Sequence, residues 1–289
     1  MFSTVLIATD LSEASDRVID ALGGLAGLGT TDALLVNCLN PRAGTALPEI
    51  TDLAQRGLHR QAERLAAVGF NVETELVVGL PQIEVNRIAE ERKSDLVVVG
   101  SHGEDGGMGL LLGGVAGAIV YNMTRPTLVV RLRFTTVGDQ HVCDLIHCDF
   151  LGHILMPHDF SENAARAFSY VQQLAGLGAR GVTLLHAQDT NAVERHFTAG
   201  RQMREADEAD EKRLAPLRED LLRRGVPEVN VIVRHGSPKQ VISDATQDGV
   251  SLVVMGSQGH GRVKEFLLGS VSYEVVRRSN APVLLIPAE

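Results

Sequence analysis

Short apolar runs alternate with longer amphipathic stretches along the whole chain. In the first half Val5–Ala8, Ala33–Cys38, Val72–Val77, Leu96–Val99 and Leu128–Leu132 are rich in β-branched residues, with room for a helix between successive runs. The second half repeats the layout at Ile154–Pro157, Val182–Ala187, Val229–Val233, Leu252–Met255 and Val283–Ile286. Runs that are apolar throughout predict strands buried on both faces, hence an α/β fold with a five-stranded parallel sheet in each half. Ser12 and Ser161 stand where a helix N-cap belongs. Behind Ser12, Ala14, Val18, Ala21/Leu22 and Leu25 recur at helical spacing, which predicts a helix packed on the sheet through that stripe.

The halves are copies of one unit. VLIATDLSEASDRVI aligns without a gap on ILMPHDFSENAARAF and pairs Asp10 with Asp159. Further on, Gly79 pairs with Gly236, Pro81 with Pro238 and Gly100 with Gly256. The offset is 149 residues at the aspartates and 157 at Gly79, so the second copy carries a net insertion of eight in mid-unit. The expected division is a first domain over 1–133, a linker over 134–152 and a second domain over 153–289. The charged stretch between Asp189 and Gly225 reads as a solvated helical excursion that Pro216 breaks or bends.

Composition narrows the function classes. At 289 residues, 44% hydrophobic and 22% charged, the chain suits two soluble domains. A net charge of −9 disfavours nucleic acid and anionic membrane as partners. Three cysteines cannot make a disulfide framework, and MFSTVLIATD has no basic leader, so the expected location is the cytoplasm. The 19 uncharged residues between Asp105 and Arg125, with Gly109, Gly113 and Gly117 at GxxxG spacing, imitate a membrane span. Six glycines weaken that reading, and the matching segment of the second copy carries Arg262, Lys264 and Glu265, so no membrane span is expected.

The chemistry gathers after the fourth strand of the second copy. Gly256, two residues, Gly259, nine residues, then Gly269 and Ser270 form G-x2-G-x9-G-S. In an open parallel sheet ligands lie beyond the carboxyl ends of the strands, where a glycine turn lets backbone amides approach a phosphate. Ser270 would open a helix whose amides and dipole attract anions. Asp159, ending the first strand, would face the same crevice and accept a ribose hydroxyl.

These residues, Asp159 with Gly256, Gly259, Gly269 and Ser270, resemble the universal stress protein family, whose nucleotide-binding members carry G-2x-G-9x-G-(S/T). The resemblance spans both halves. It implies two tandem Rossmann-like, adenine-nucleotide-binding domains that pair through their fifth strands as an intramolecular pseudo-dimer. It further implies ATP or AMP as ligand, compatible with Mg²⁺, and a role in stress response through ligand-dependent interactions with an unidentified protein partner, homodimerisation included. Residue by residue, Asp159 would contact ribose or adenine, and Ala187 would contact adenine by its backbone. Gly256, Gly259, Gly269, Ser270, Val271 and Ser272 would hold phosphates, with His260 and Arg262 inside the spacer. Copy one keeps Gly100, Gly103 and Gly113 but has Gly114 and Ala116 in place of the hydroxyls, and Glu104 and Asp105 where phosphates would lie, so the stronger site is expected in copy two.

Catalysis ranks below binding. The chain has no G-x4-G-K-[ST] loop, H-E-x-x-H, G-x-S-x-G or C-x-x-C, and ATDLSE and PHDFSE replace the S-G-G-x-D-S loop of an ATP pyrophosphatase. Slow ATP hydrolysis and a scaffold without exchangeable nucleotide stay as alternatives. His141, Cys143, His147, Cys148 and His153 crowd the linker in a spacing that matches no standard zinc finger, and ordinary linker residues are preferred.

Overall fold

The computed structural model describes residues 1–39, 47–101, 112–137, 140–145, 149–189, 200–247, 249–259 and 268–288. The chain divides into two units, Met1–Cys148 and Asp149–Glu289.

The N-terminal unit runs β1 (Thr4–Thr9), α1 (Glu13–Ala21), β2 (Asp32–Leu39), α2 (Leu47–Ala67), β3 (Asn71–Val78), α3 (Pro81–Glu91), β4 (Leu96–Gly100), α4 (Gly114–Tyr121) and β5 (Thr127–Val130). Its strands are parallel in the order β3-β2-β1-β4-β5. The C-terminal unit repeats this with β8 (His153–Pro157), α5 (Glu162–Gly176), β9 (Gly181–Gln188), α6 (Gly200–Arg223), β10 (Glu228–His235), α7 (Pro238–Ala245), β11 (Leu252–Gly256), α8 (Ser270–Arg278) and β12 (Val283–Ile286). Its order is β10-β9-β8-β11-β12. Right-handed crossovers put α1 and α2 on one face and α3 and α4 on the other, and the members of each pair pack together. In each unit the strand order reverses beside the first strand, opening a crevice at the carboxyl ends of β1 and β4, and of β8 and β11.

Continuous apolar strands are what this burial demands. Leu96, Val97 and Val98 on β4 and Val253 and Val254 on β11 are fully buried. Truncating Leu96 to alanine would cost about 2–5 kcal/mol in lost transfer energy and cavity. Both N-cap serines act as expected: the Ser12 hydroxyl accepts the Ser15 N–H at 3.2 Å and the Ser161 hydroxyl accepts the Ala164 N–H at 3.1 Å.

Three expectations change. The stretch taken as a linker contains a hairpin, β6 (Leu132–Val137) and β7 (Gln140–Leu145), which belongs with the N-terminal unit and lies against α1. Its register sets Leu132 opposite Leu145 and Phe134 opposite Cys143. The run placed at Leu128–Leu132 is therefore two strands, divided at Arg131. Finally, α6 is a covering helix and no excursion. It lies on β9 and β10 with Leu214 and Leu221 fully buried, and it runs through Pro216 without ending. The charges hid a narrow apolar stripe of two leucines seven residues apart.

Candidate functional site

The crevice begins with a hook at the end of the first strand. After β8 the backbone of Phe160 turns left-handed, with φ 65°. For a residue with a Cβ that conformation costs about 1–2 kcal/mol, so neighbouring groups must hold it. The Phe160 N–H donates to His158 Nδ1 at 3.0 Å, and the Ser161 N–H donates to Asp159 Oδ1 at 3.0 Å. Accepting that bond requires a neutral His158. Burial pulls its imidazole down to about 4, with Asp159 opposing the shift and His186 and Arg213 adding to it. The N-terminal unit builds the same hook from other residues: Leu11 has φ 64°, the Leu11 N–H donates to Thr9 Oγ1 at 3.0 Å, and the Ser12 N–H donates to Asp10 Oδ1 at 3.0 Å. Each hook sets an aspartate at the mouth of its crevice.

The glycine turn closes against this hook. A Cβ on Gly256 would stand 2.7 Å from Asn163 Nδ2, one on Gly259 would stand 2.5 Å from Asp159 Oδ2, and one on Gly269 would stand 3.2 Å from the Ser257 carbonyl oxygen. None of the three has positive φ among the described residues, so close packing and not left-handed backbone requires glycine here. The Ser257 carbonyl accepts the Gly269 N–H at 2.7 Å, which brings the start of α8 onto the turn. Gly269 is the N-cap and supplies no side-chain acceptor. No N-cap side chain bonds the first amides of α8, those of Ser270 and Val271 included, among the described residues, and the positive end of the helix dipole lies at the turn. Ser270 is exposed, whereas the Ser272 hydroxyl is buried and donates to the Gly256 carbonyl at 2.9 Å.

Ala187 lies on β9 beside β10, at the carboxyl end of the sheet. The structure therefore brings together Asp159, Gly256, Gly259, Gly269, Ser270, Val271 and Ser272, with Ala187 one strand away. His260 and Arg262 lie outside the described residues, as do Gly103, Glu104 and Asp105 of the first copy.

In the N-terminal unit the Gly113 N–H likewise donates to the Ser101 carbonyl at 2.8 Å. Gly114 and Ala116 provide neither hydroxyl, and Asp10 Oδ1 also accepts the Ser15 hydroxyl at 2.5 Å. Ala164 takes the place of Ser15 in the C-terminal unit.

Two features escaped the sequence reading. Asn163, in the first turn of α5, reaches the glycine turn: its Nδ2 donates to the Gln258 carbonyl at 3.2 Å and lies 3.5 Å from Ser257 Oγ. The available signal was its pairing with Ala14 in the repeat alignment. The other is a polar and aromatic roof. Phe160 has the His186 ring at 4.6 Å, the His158 ring at 5.2 Å and the Arg213 guanidinium 3.5 Å from its centroid. Asp210 on α6 accepts Gln188 Nε2 at 2.7 Å and pairs with His186 Nε2 at 3.4 Å. These contacts tie α6 to the carboxyl end of β9.

Among the described residues no group of three His, Cys, Asp or Glu side chains is placed to hold a metal ion. Of the linker cluster, His141 and Cys143 fall on β7, His147 and Cys148 lie outside the described residues, and His153 Nε2 bonds Thr183 Oγ1 at 2.8 Å. No described helix is long and apolar enough to cross a membrane.

Two doubly wound parallel units, each with a crevice at the point where strand order reverses, define a tandem Rossmann-like α/β protein. The universal stress protein family model matches residues 1–131 and 151–287, and the chain belongs to that family with two of its domains in tandem. A universal stress protein of Methanocaldococcus jannaschii is 30% identical over 151 residues, 46% of this chain and 93% of its own. The crystal structure of a universal stress protein from Archaeoglobus fulgidus shares the fold over 98% of this chain and 95% of its own, with a TM-score of 0.68 at 22% identity. A universal stress protein solved in complex with cAMP is 27% identical, covering 45% of this chain and 97% of its own with a TM-score of 0.37.

Proposed function

We propose that the C-terminal unit binds an adenine nucleotide, ATP or AMP, and that the chain acts in stress adaptation through interactions that depend on this ligand. The observation that carries the reading is the junction of Asp159 with the glycine turn and the uncapped start of α8. A carboxylate suited to ribose hydroxyls and a row of outward amides suited to phosphates then lie at one crevice mouth. Family membership supports the same reading, and the regulatory role rests on it alone. The N-terminal unit, with Gly114 where the C-terminal unit has Ser270, is the weaker binder. With the Ser272 hydroxyl committed to the Gly256 carbonyl, the Ser270 hydroxyl is the one free to donate to a phosphate, and losing that neutral hydrogen bond at about 0.5–1.5 kcal/mol corresponds to roughly 2- to 13-fold in affinity. Mg²⁺ would join only as counter-ion to the phosphates.

Freshly purified protein treated with acid should release adenine nucleotide near one equivalent per chain, measured by chromatography. Protein that releases none and does not bind added ATP would leave the glycine turns a packing device and favour the scaffold reading.

A further inference from the structure

Asn163 has no part in the nucleotide motif, yet it is the side chain that grips the turn. It is 8% exposed, and its Cγ and Nδ2 fill the space that a Gly256 side chain would need. Its Nδ2 donates to the Gln258 carbonyl at 3.2 Å. The Gln258 carbonyl and the Gly259 N–H belong to one planar trans peptide, so they point in opposite directions. Holding the carbonyl toward Asn163 therefore turns the Gly259 N–H away from it. The Gly259 nitrogen lies on the side of Gly269, 3.8 Å from where a Gly269 Cβ would stand, at the head of α8. Meanwhile Asn163 Oδ1 is buried without a hydrogen-bond partner among the described residues. An orphaned buried acceptor is a cost that an alanine would avoid, and alanine is the residue at the matching position of the N-terminal unit, Ala14.

We propose that Asn163 is a positioning residue for nucleotide binding: by anchoring the Gln258 carbonyl it aims the Gly259 N–H at the ligand's anionic groups alongside the amides of α8. This rests on the nucleotide reading above and extends it to a residue outside the glycine motif. It also adds a second difference, besides the Ser270 hydroxyl, between the strong and weak units.

The test is ATP titration by calorimetry of the full chain with Asn163→Ala and Asn163→Asp, together with ligand-free thermal melting and hydrogen exchange at Gln258 and Gly259. Asn163→Ala should weaken ATP at least about tenfold and speed exchange at Gly259, with a melting midpoint equal to or above that of the natural chain. Asn163→Asp keeps the shape, removes the donor and adds negative charge, and should weaken ATP further. A lower midpoint with unchanged affinity and exchange would make Asn163 merely structural and overturn the positioning role while leaving the nucleotide reading intact. Failure of the natural chain to bind ATP would overturn the nucleotide reading and this inference with it.

Discussion

At the end of the first strand the two units are built alike, and at the end of the fourth they part. Leu11 and Phe160 take the same left-handed turn, and the following serine N–H donates to the same aspartate oxygen at 3.0 Å in each. Thr9 does in one unit what His158 does in the other, so a shared backbone frame tolerates different side chains wherever these supply an acceptor at the right place. The carbonyls of the same two residues are held alike: Asn37 Nδ2 donates to Thr9 O at 2.8 Å, and His186 Nδ1 lies 2.7 Å from His158 O. At the fourth strand the frame again matches, but Asn163, Ser270 and Ser272 face Ala14, Gly114 and Ala116. The roof differs too. Leu11 lies 3.0 Å from where a Gly57 Cβ would stand, whereas Phe160 carries Arg213. Backbone bonds and caps common to both copies thus maintain the fold, and the copies diverge in a handful of side chains at the proposed site.

The largest expected contrast between units is acid sensitivity. His158 titrates near 6.5 unfolded and is held to about 4 by burial in the folded unit, so between these values the unfolded chain takes up a proton that the native one refuses. Stability of the C-terminal unit should be full above pH 6.5 and fall by about 1.4 kcal/mol per pH unit below it, reaching a loss of roughly 3 kcal/mol near pH 4. Thermal melting against pH should show this slope flatten in His158→Thr, which installs the residue of the N-terminal unit. Next comes Gly259→Ala, whose methyl would meet Asp159 Oδ2 at 2.5 Å. Asp159 must then swing away from its place at the crevice mouth, and losing a hydrogen bond to its carboxylate, worth about 1.5–3 kcal/mol, should weaken ATP roughly 10- to 150-fold in calorimetry. Gly23→Ala, where nothing lies within 4 Å, should leave it unchanged. Replacing Ser272 by alanine leaves the Gly256 carbonyl without its 2.9 Å donor and should lower stability by about 1 kcal/mol in urea titration. Smallest is Arg213→Ala: its side chain is 56% exposed, and losing the contact with Phe160 should cost about 0.5–1 kcal/mol.

Much of this was legible in the chain. Buried parallel strands need unbroken apolar runs, and N-caps need serine ahead of the helix, so the repeat, Ser12, Ser161 and the glycine spacing were all visible. What was not visible depends on meetings between distant residues. Asn163 and Gln258 are 95 positions apart, and only the fold makes the asparagine the clamp of that turn. The roof over Phe160 joins α6 to β9 through Asp210 and His186, and a charge-rich helix reads as solvent-facing until its two buried leucines are known. The hairpin was missed because its alternation is brief and its polar residues suit a linker equally well. The glycines are expected from sequence to let backbone amides approach a phosphate, but Asp159 and Asn163 also press on Gly259 and Gly256, a steric reason that spacing alone does not reveal.

The central claim is that one of two like-built units binds nucleotide. Native mass spectrometry of the full chain with excess ATP, alone and with Gly259→Ala, tests it most directly. The account predicts one tightly bound adenine nucleotide per chain, lost in the variant. Two equally held nucleotides, or one that survives Gly259→Ala, would contradict it.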